Sequence, residues 1–248
     1  LFISDLHLSP VNPELTQLAS DFLRGQQGKV DEIYILGDIF NTWLGDDLVP
    51  GEFDDFIDTL KQLTGCGIKL FLMVGNRDFM LGQDFACRVG GFLLKDGFVM
   101  DIAGRKTLLM HGDSLCIDDI SYQRYRRVVS NRFLQWCFLQ LPVSLRQRIS
   151  DKIKQKSRQQ KQFKTAMIMD VNQAEVRRVI KEQQVELLIH GHTHRPAIHE
   201  LEVQNQQIAH RVVLGDWDNH ISYLLASDQQ LTLHDHRVPA DRQRLELI

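Results

Sequence analysis

The chain has 248 residues, of which 43% are apolar and 25% are charged, and its net charge is −3. A chain of this length buries roughly 70–75% of its unfolded surface, so this ordinary composition predicts a globular protein rather than a disordered one. The small net charge favours no polyanionic partner, and we expect none of the nucleic-acid kind. The four cysteines lack CxxC spacing, which predicts buried free thiols in a reducing compartment.

The first half of the chain alternates predicted strands and helices. Residues 53–63 carry apolar side chains at the i, i+3, i+4 and i+7 positions of an amphipathic helix, whereas 70–74 is a continuous apolar run typical of a covered strand. In chain order, the same signals predict a strand at 1–3, a helix at 13–23, a strand at 33–36, a helix at 53–63, and strands at 70–74 and 107–110. This alternation predicts an α/β fold of layered sheets and helices.

A segment of helical composition, from residue 115 to about 168, interrupts the alternation. Beyond it the sequence predicts a helix at 171–185 and strands at 186–189, 211–214 and 222–225. We therefore expect a core formed by 1–114 and 169–238, a basic helical insertion at 115–168 that acts as a lid, and a flexible charged tail at 239–248.

Five short blocks carry candidate metal ligands, and each block follows an apolar run. The candidates are Asp5 and His7 in SDLH, Asp38 in LGD, Asn76 in GNRD, His111 in MHGD, and His192 and His194 in HGHTH. This mixture of carboxylates, an amide and imidazoles, without a thiolate, favours Mn²⁺, Fe²⁺ or Zn²⁺, and we expect two divalent ions, Mn²⁺ first among them. Such ligands collected at strand ends are what a two-metal phosphoester hydrolase requires.

In this order the blocks resemble the D-x-H, G-D, G-N-H-D/E, H and G-H-x-H pattern of the calcineurin-like metallophosphoesterases. The resemblance covers about residues 1–113 and 186–220 and implies a sandwich of two mixed sheets flanked by helices. It implies two ion sites that share Asp38, one with Asp5, His7 and His194, the other with Asn76, His111 and His192. The ions would lie about 3.5–4 Å apart, and a hydroxide held by both would attack phosphorus in line.

One residue departs from the family pattern, because GNRD has Arg77 where the family has histidine. A histidine can protonate an alkoxide leaving group, whereas arginine stays charged at any relevant pH. The replacement suits a leaving group that is already good, such as a phosphate, and arginine can neutralise two bridged phosphates through its bidentate geometry. We therefore expect pyrophosphate rather than alkyl phosphoester chemistry.

The insertion is strongly basic, because residues 122–164 contain 12 Lys or Arg and one acid. Its net charge is +11, against −14 for the rest of the chain. Bulky apolar residues accompany these bases between Phe133 and Leu141, a combination that fits an anionic lipid interface. A solvated helical hairpin with an ordinary packed face is the competing interpretation.

GNRDF, HGDSLCIDD, the basic insertion and HGHTHRP together resemble family members that hydrolyse the pyrophosphate of a nucleotide-linked diacylated sugar. This resemblance extends to about residue 238 and implies a peripheral enzyme, expected to be monomeric, on the cytoplasmic face of a bacterial inner membrane. It implies catalytic roles for four residues, Asp38, Asn76, Arg77 and His111. It implies substrate contacts from Asn76, Arg77, Asp119, Ser157, Lys161, Lys164 and His192.

Two other functions remain open from the sequence. One is a soluble phosphoesterase of the same superfamily that acts on dinucleotide polyphosphates or phosphoproteins. The other is a metal-free scaffold that uses this fold for protein binding, although such scaffolds lose ligands and this chain retains all seven candidates.

Several side chains near the blocks have competing interpretations. His190 is expected to be structural, Asp78 to fix the GNRD loop, and Trp217 to pack in the core. Arg195 could contact a phosphate or form a salt bridge. Asp113 and Asp118 could orient a ligand imidazole, could cap a helix or could be solvated.

Overall fold

Two mixed β-sheets form the centre of the molecule, and helices cover their outer faces. The computed structural model describes residues 1–161, 170–203, 207–218 and 220–247, with backbone alone for 156–161. The predicted sandwich of two mixed sheets flanked by helices is confirmed.

The first sheet has seven strands, four of them parallel. Its strands are β1 (Phe2–Ile3), β2 (Glu32–Leu36), β3 (Lys69–Met73), β4 (Phe92–Leu94), β10 (Tyr223–Ala226), β11 (Gln230–His234) and β12 (Arg244–Glu246). The order is β12-β11-β10-β1-β2-β3-β4, in which β1 to β4 pair in parallel and the others pair antiparallel. The carboxyl ends of the parallel strands therefore meet at one edge.

The second sheet has five strands. They are β5 (Phe98–Ile102), β6 (Arg105–Met110), β7 (Leu187–His190), β8 (Ala197–Val203) and β9 (Gln207–Val213). In the order β5-β6-β7-β9-β8, the strands β6, β7 and β9 are parallel, and β5 and β8 run antiparallel at the edges. The five candidate blocks follow β1, β2, β3, β6 and β7, so both sheets deliver them to the same region.

A buried apolar layer holds the two sheets together. Tyr34 and Leu36 of the first sheet pack in one cluster with Leu109, Ile189 and Val212 of the second. Because strands covered on both faces cannot alternate apolar and polar residues, β2, β3 and β7 read as continuous apolar runs in the sequence.

Seven helices complete the described part of the chain. They are α1 (Pro13–Arg24), α2 (Asp54–Gly65), α3 (Gln83–Arg88), α4 (Ile120–Val129), α5 (Arg132–Leu139), α6 (Val143–Lys161) and α7 (Gln173–Gln183). Asn12 caps α1 by accepting from the Leu15 N–H, with Pro13 in the first turn, where its missing N–H costs nothing. No helix within the described residues is long and apolar enough to cross a bilayer.

Two expectations are wrong. The tail from residue 239 is not loose, because Arg244–Glu246 pairs with β11 as an edge strand and Leu247 is only 7% exposed. Leu245 and Leu247 alternate with charged residues in the sequence, and both pack in the apolar cluster between the sheets. The thiols are free as expected, but Cys66 and Cys87 are exposed rather than buried.

Candidate metal centre

The candidate ligands lie on tight loops whose backbone adopts an uncommon conformation. Five of the seven candidates have a positive φ, between 51° and 69°. They are Asp5, His7, Asp38, His192 and His194. L-residues rarely adopt this left-handed region, and such strain concentrates at functional sites, where the surrounding structure enforces it. The loops therefore present these side chains at the cost of local backbone strain.

Close backbone packing around the centre requires glycine at two positions. A Cβ on Gly75 would lie 2.1 Å from Asp38 Oδ1, and a Cβ on Gly191 would lie 2.2 Å from Asp5 Oδ2. Asp78 ties the neighbouring loops together by accepting from the N–H groups of Gly75 and Ile39, both at 2.7 Å. The expected role of Asp78 in fixing the GNRD loop is confirmed.

Asp5, His7 and His194 form the first cluster of potential ligand atoms. Asp5 Oδ1 lies 3.3 Å from His194 Nε2 and 3.9 Å from His7 Nε2, and the two imidazole nitrogens are 3.2 Å apart. Asp38 adjoins this cluster, because its Oδ2 is 3.7 Å from His7 Nδ1. This is the group that the family resemblance assigns to one ion.

The second cluster gathers Asp38, Asn76, His111 and His192. Asn76 Oδ1 lies 2.7 Å from His192 Nδ1 and 3.0 Å from His111 Nε2, and Asp38 Oδ1 lies 3.7 Å from the same His111 nitrogen. His111 Nδ1 donates to the Leu36 carbonyl at 2.9 Å, because a carbonyl can only accept, so Nε2 is the atom that faces the centre. The structure thus brings all seven candidates together.

The carboxylates of the centre differ strongly in proton affinity. Burial raises the pKa of Asp38 to about 7, and the nearby Asp78 and Asp5 carboxylates add to the rise. Burial also acts on Asp5, but the His194 imidazole 3.3 Å from its Oδ1 and the other neighbouring imidazoles hold its pKa well below the usual range. A buried carboxylate as basic as Asp38 is a favourable partner for a cation.

The imidazoles divide into two pairs. Despite burial, the pKa of His111 is raised to about 9 by Asp38 and Asp5. The pKa of His194 is likewise raised to about 9, by the nearby carboxylates of Asp216 and Asp5. Burial lowers the pKa of His7 to about 3 and of His192 to about 4. In the protein alone, protons on two imidazoles therefore balance the buried carboxylates.

Two buried polar atoms of the first cluster have no hydrogen-bond partner, namely Asp5 Oδ1 and His7 Nδ1. Buried polar atoms are almost always satisfied, so orphaned atoms that face other potential ligands indicate a missing partner. Imidazole nitrogens and carboxylate and amide oxygens suit borderline divalent cations. The residues therefore fit a two-ion centre.

Arg77 lies at the rim of this centre. Its backbone N–H donates to Asp38 Oδ1 at 2.8 Å, its Nε lies 3.4 Å from Asp38 Oδ2, and its guanidinium donates to Asn41 Oδ1. Because Asn41 and Asp38 hold the guanidinium from two sides, its position is fixed relative to the shared carboxylate.

Asp216 is a member of the centre that the sequence reasoning missed. Its Oδ2 accepts from His194 Nδ1 at 3.0 Å, and its Oδ1 accepts from Arg237 at 2.7 Å. Such a carboxylate fixes the orientation of an imidazole that binds a metal. A signal was present, because residues 214–216 repeat the letters LGD of the Asp38 block after another strand.

The first helix of the insertion is anchored directly beside the centre. Arg126 of α4 donates to Asp113 and Asp96, both at 2.8 Å, and Asp96 also accepts from the His111 N–H. Asp113 further accepts from the Tyr122 hydroxyl, and the Tyr122 ring stacks on His192. Of the three roles considered for Asp113, namely orienting an imidazole, capping a helix and solvation, the structure shows none, because the buried carboxylate attaches α4 to the core.

The other predicted substrate contacts lie on the insertion. Asp119 is buried and caps α4 by accepting from the Tyr122 N–H at 3.0 Å. Ser157 and Lys161 lie in the last part of α6, residues 156–161, where only the backbone is described. Lys164 lies outside the described residues.

The residues with competing interpretations have structural partners. His190 is buried, with Nδ1 2.9 Å from the Gly191 carbonyl, and Trp217 is buried and donates to the Ser222 carbonyl. Arg195 forms an ion pair with Asp170. Asp118 accepts from the Asn172 side chain, whose own oxygen caps α7.

Fold and site together are those of a metallophosphoesterase, with grouped side chains that could hold divalent metal ions. The family model for calcineurin-like phosphoesterases matches residues 1–196, and the chain belongs to this family. The family expected from the five blocks is confirmed.

Curated relatives match nearly the whole chain. UDP-2,3-diacylglucosamine hydrolase from Aliivibrio fischeri (strain MJ11) is 46% identical over 241 residues, covering 94% of this chain and 97% of the relative. The protein of the same name from Tolumonas auensis is 45% identical, covering 94% and 95%. Among solved structures, wild-type Vps29 complexed with zinc from Entamoeba histolytica aligns over 99% of this chain and 97% of its own, with 17% identity and a TM-score of 0.43.

Proposed function

We propose that this protein hydrolyses UDP-2,3-diacylglucosamine at the α-phosphorus and yields UMP and 2,3-diacylglucosamine 1-phosphate in lipid A biosynthesis. The observation that carries the proposal is the seven-residue centre with Arg77 at its rim, in a chain that is 46% identical to a hydrolase of that name. Water adds to the α-phosphorus, and the bond from that phosphorus to the bridging oxygen breaks. The sugar phosphate leaves, so no side chain has to protonate an alkoxide.

Two divalent ions complete the centre in this proposal, with Mn²⁺ as the first choice. Asp5, His7 and His194 would hold one, Asn76, His111 and His192 the other, and Asp38 both. The orphaned Asp5 Oδ1 and His7 Nδ1 support this assignment. When bound, such ions supply charge neutralisation at the phosphate oxygens and a lowered pKa for water.

Arg77 is the residue of the chain that meets the diphosphate. Asn41 and Asp38 hold its guanidinium, and the side chain keeps 38% of its surface exposed. A fixed guanidinium can bind two phosphate oxygens and stabilise negative charge on the leaving phosphate. Arg77 would thus stabilise the leaving group by charge rather than by proton transfer.

The insertion would meet the lipid. Phe133 and Trp136 of α5 are 67% and 59% exposed, and most of the large apolar side chains exposed in the described residues lie on this insertion. The same segment carries the net charge of +11, which attracts anionic headgroups. We therefore propose a peripheral, monomeric enzyme on the cytoplasmic face of the inner membrane.

A cavity between the insertion and the core supports an acyl-binding role. It has a volume of about 200 Å³ and is lined mostly by the loop from Asn41 to Pro50, by Leu8 and Phe53, and by Gln147 and Lys154 of α6. Asn41 both lines this cavity and holds Arg77, so an acyl chain there would lie close to the diphosphate.

The decisive assay compares two substrates with purified protein and Mn²⁺. We expect UMP release from UDP-2,3-diacylglucosamine and much weaker cleavage of bis(p-nitrophenyl) phosphate. Absence of UMP release would refute the proposal, and the second substrate would then reveal a soluble phosphoesterase.

Asp38→Asn should abolish both activities with the fold retained. Arg77→His should lower pyrophosphate cleavage selectively, and an unchanged rate would contradict the role of Arg77.

Membrane binding is tested separately with vesicles that contain anionic phospholipid. Replacing Phe133 and Trp136 together with serine should reduce sedimentation with vesicles, since each buried aromatic side chain contributes about 1.5–3 kcal/mol. Phe92→Ser is the matched control, because Phe92 is 57% exposed on β4, outside the insertion. Equal binding of both variants would argue against docking through α5.

A further inference from the structure

A polar cavity of about 530 Å³ borders the metal centre on the side of the second sheet. His194 contributes to both, because its ring contacts Asp5 in the centre and its side chain lines the cavity. No residue of α4, α5 or α6 is among the described residues that line it. Within the described residues, the cavity therefore shares no lining with the helices that carry the exposed apolar side chains.

Arg211 gives this cavity its distinctive charge. It lines the cavity from β9 but is only 4% exposed, and its Nε has no hydrogen-bond partner. Its Nη1 lies 3.4 Å from His190 Nε2, which is long for a hydrogen bond. Burial lowers the pKa of Arg211, and the Asp170 carboxylate on the same cavity offsets this lowering only in part. A buried cation with so little compensation costs several kcal/mol of stability, as an order of magnitude.

The other two arginines of the cavity are neutralised within the protein. Arg195 pairs with Asp170, and Arg237 pairs with both Asp216 and Asp235. Arg211 has no carboxylate within ion-pair distance among the described residues, so it supplies the uncompensated charge of the cavity. Thr193, Gln173 and His199 add uncharged hydrogen-bonding groups around it.

We infer that this cavity binds the nucleoside monophosphate half of the substrate, with the Arg211 guanidinium as a hydrogen-bond donor to the ribose and base and the α-phosphate at the metal centre. The inference rests on the proposed function, which requires a nucleotide on one side of the cleaved bond and a lipid on the other. A volume of 530 Å³ is in the range of small-molecule sites, about 300–1,000 Å³. Its polar lining matches a ribose and base, and its border with His194 keeps the α-phosphate at the metal centre.

The inference is tested by calorimetric binding of UMP to the Mn²⁺-loaded protein, with inorganic phosphate as the comparison. Arg211→Met should weaken UMP binding at least about tenfold, as expected for loss of a hydrogen-bonded charge partner. Phosphate, which the metal centre alone accommodates, should bind both proteins within about twofold. Arg178→Met is the matched control, because Arg178 lies on the exposed surface of α7 and should leave both affinities unchanged.

Thermal unfolding separates a binding role from a structural one. If Arg211 is retained for nucleotide binding, Arg211→Met should leave the melting temperature unchanged or raise it, because it removes an uncompensated buried charge. A lower melting temperature together with unchanged UMP affinity would overturn the inference. Ala197→Phe offers a second route, since it fills the cavity from β8 without altering Arg211 and should also weaken UMP binding.

Failure of this inference can be distinguished from failure of the proposed function. If the wild-type protein releases UMP from UDP-2,3-diacylglucosamine but both cavity variants bind UMP normally, the cavity assignment is wrong and the function stands. If UMP binding depends on Arg211 but no turnover occurs, the nucleotide site stands and the lipid substrate is wrong. Equal losses of phosphate and UMP affinity in Arg211→Met would also overturn the assignment, because they would point to damage at the metal centre.

Discussion

The carboxylate of Asp216 controls how firmly His194 is held, so its removal should weaken metal binding without unfolding the protein. Asp216→Asn keeps the size of the side chain and an oxygen that can still accept from His194 Nδ1. It removes the charge that raises the pKa of His194 and that makes its ring a stronger donor to a cation. Arg237 keeps its second partner, Asp235, so its own position is preserved.

The size of the effect follows from the geometry. Loss of a carboxylate behind a metal-binding imidazole typically costs 10–100-fold in metal affinity, or about 1.4–2.7 kcal/mol. The pair of His194 and Asp216 is part-exposed, with side-chain exposures of 31% and 23%, and the amide retains one hydrogen bond. We therefore expect about a tenfold loss for Asp216→Asn and a loss closer to about 100-fold for Asp216→Ala.

Calorimetric Mn²⁺ titration measures this loss directly, and the Mn²⁺ dependence of turnover gives a second measurement. At saturating Mn²⁺ the turnover number of Asp216→Asn should recover to within about threefold of wild type, because the side chain acts through His194. Asp58→Asn is the control, since Asp58 is an exposed helix residue paired only with Lys61 in the described structure. Unchanged Mn²⁺ affinity in Asp216→Asn would refute the reasoning, as would a loss equal to that of the control.

Three further predictions follow from the same structure. Gly191→Ala should abolish turnover and lower stability by about 1–3 kcal/mol, measured by urea unfolding, because its Cβ would meet Asp5 at 2.2 Å. Leu247→Ala should cost about 2 kcal/mol in the same assay if the final strand anchors the sheet, whereas a change below about 0.5 kcal/mol would indicate a loose tail. In the presence of chelator, the melting temperature should fall between about pH 6.5 and pH 9, because carboxylate partners raise the pKa of His111 and of His194 to about 9 despite burial. Both groups hold their protons more tightly in the folded state, so that stability is lost as the pH rises, and a flat profile would contradict the proton-balanced centre.

Local sequence was sufficient for the elements that carry the ligands. The runs at 33–36 and 70–74 are strands because apolar residues without alternation suit a strand covered on both faces. Glycine at 75 and 191 marks loops where the backbone passes next to a carboxylate. The family and the convergence of the seven side chains could therefore be predicted before any contact was known.

Other features depended on pairing between distant segments. The last strand has only three residues, two of them charged. Leu245 within it is partly buried and Leu247 just after it is buried, because β11 pairs with this strand. Exposure of Cys66 and Cys87 likewise depends on which helix face meets the sheet, and apolar neighbours in sequence do not determine this. The LGD at 214–216 resembles the Asp38 block, yet its role follows from where β9 ends relative to His194.

The sequence by itself determined the type of chemistry. The candidate ligands occur in short contiguous blocks, and each block needs only the strand before it to place its side chains. Only the tertiary structure decided how charge is compensated. Arg237 and Arg211 are both arginines beside the same centre, but Arg237 meets two carboxylates and Arg211 meets none in the described structure. That difference arises from the register of β8 against β9, which faces Arg211 with His199 rather than an acid, and electrostatic energy depends on distance in space rather than along the chain.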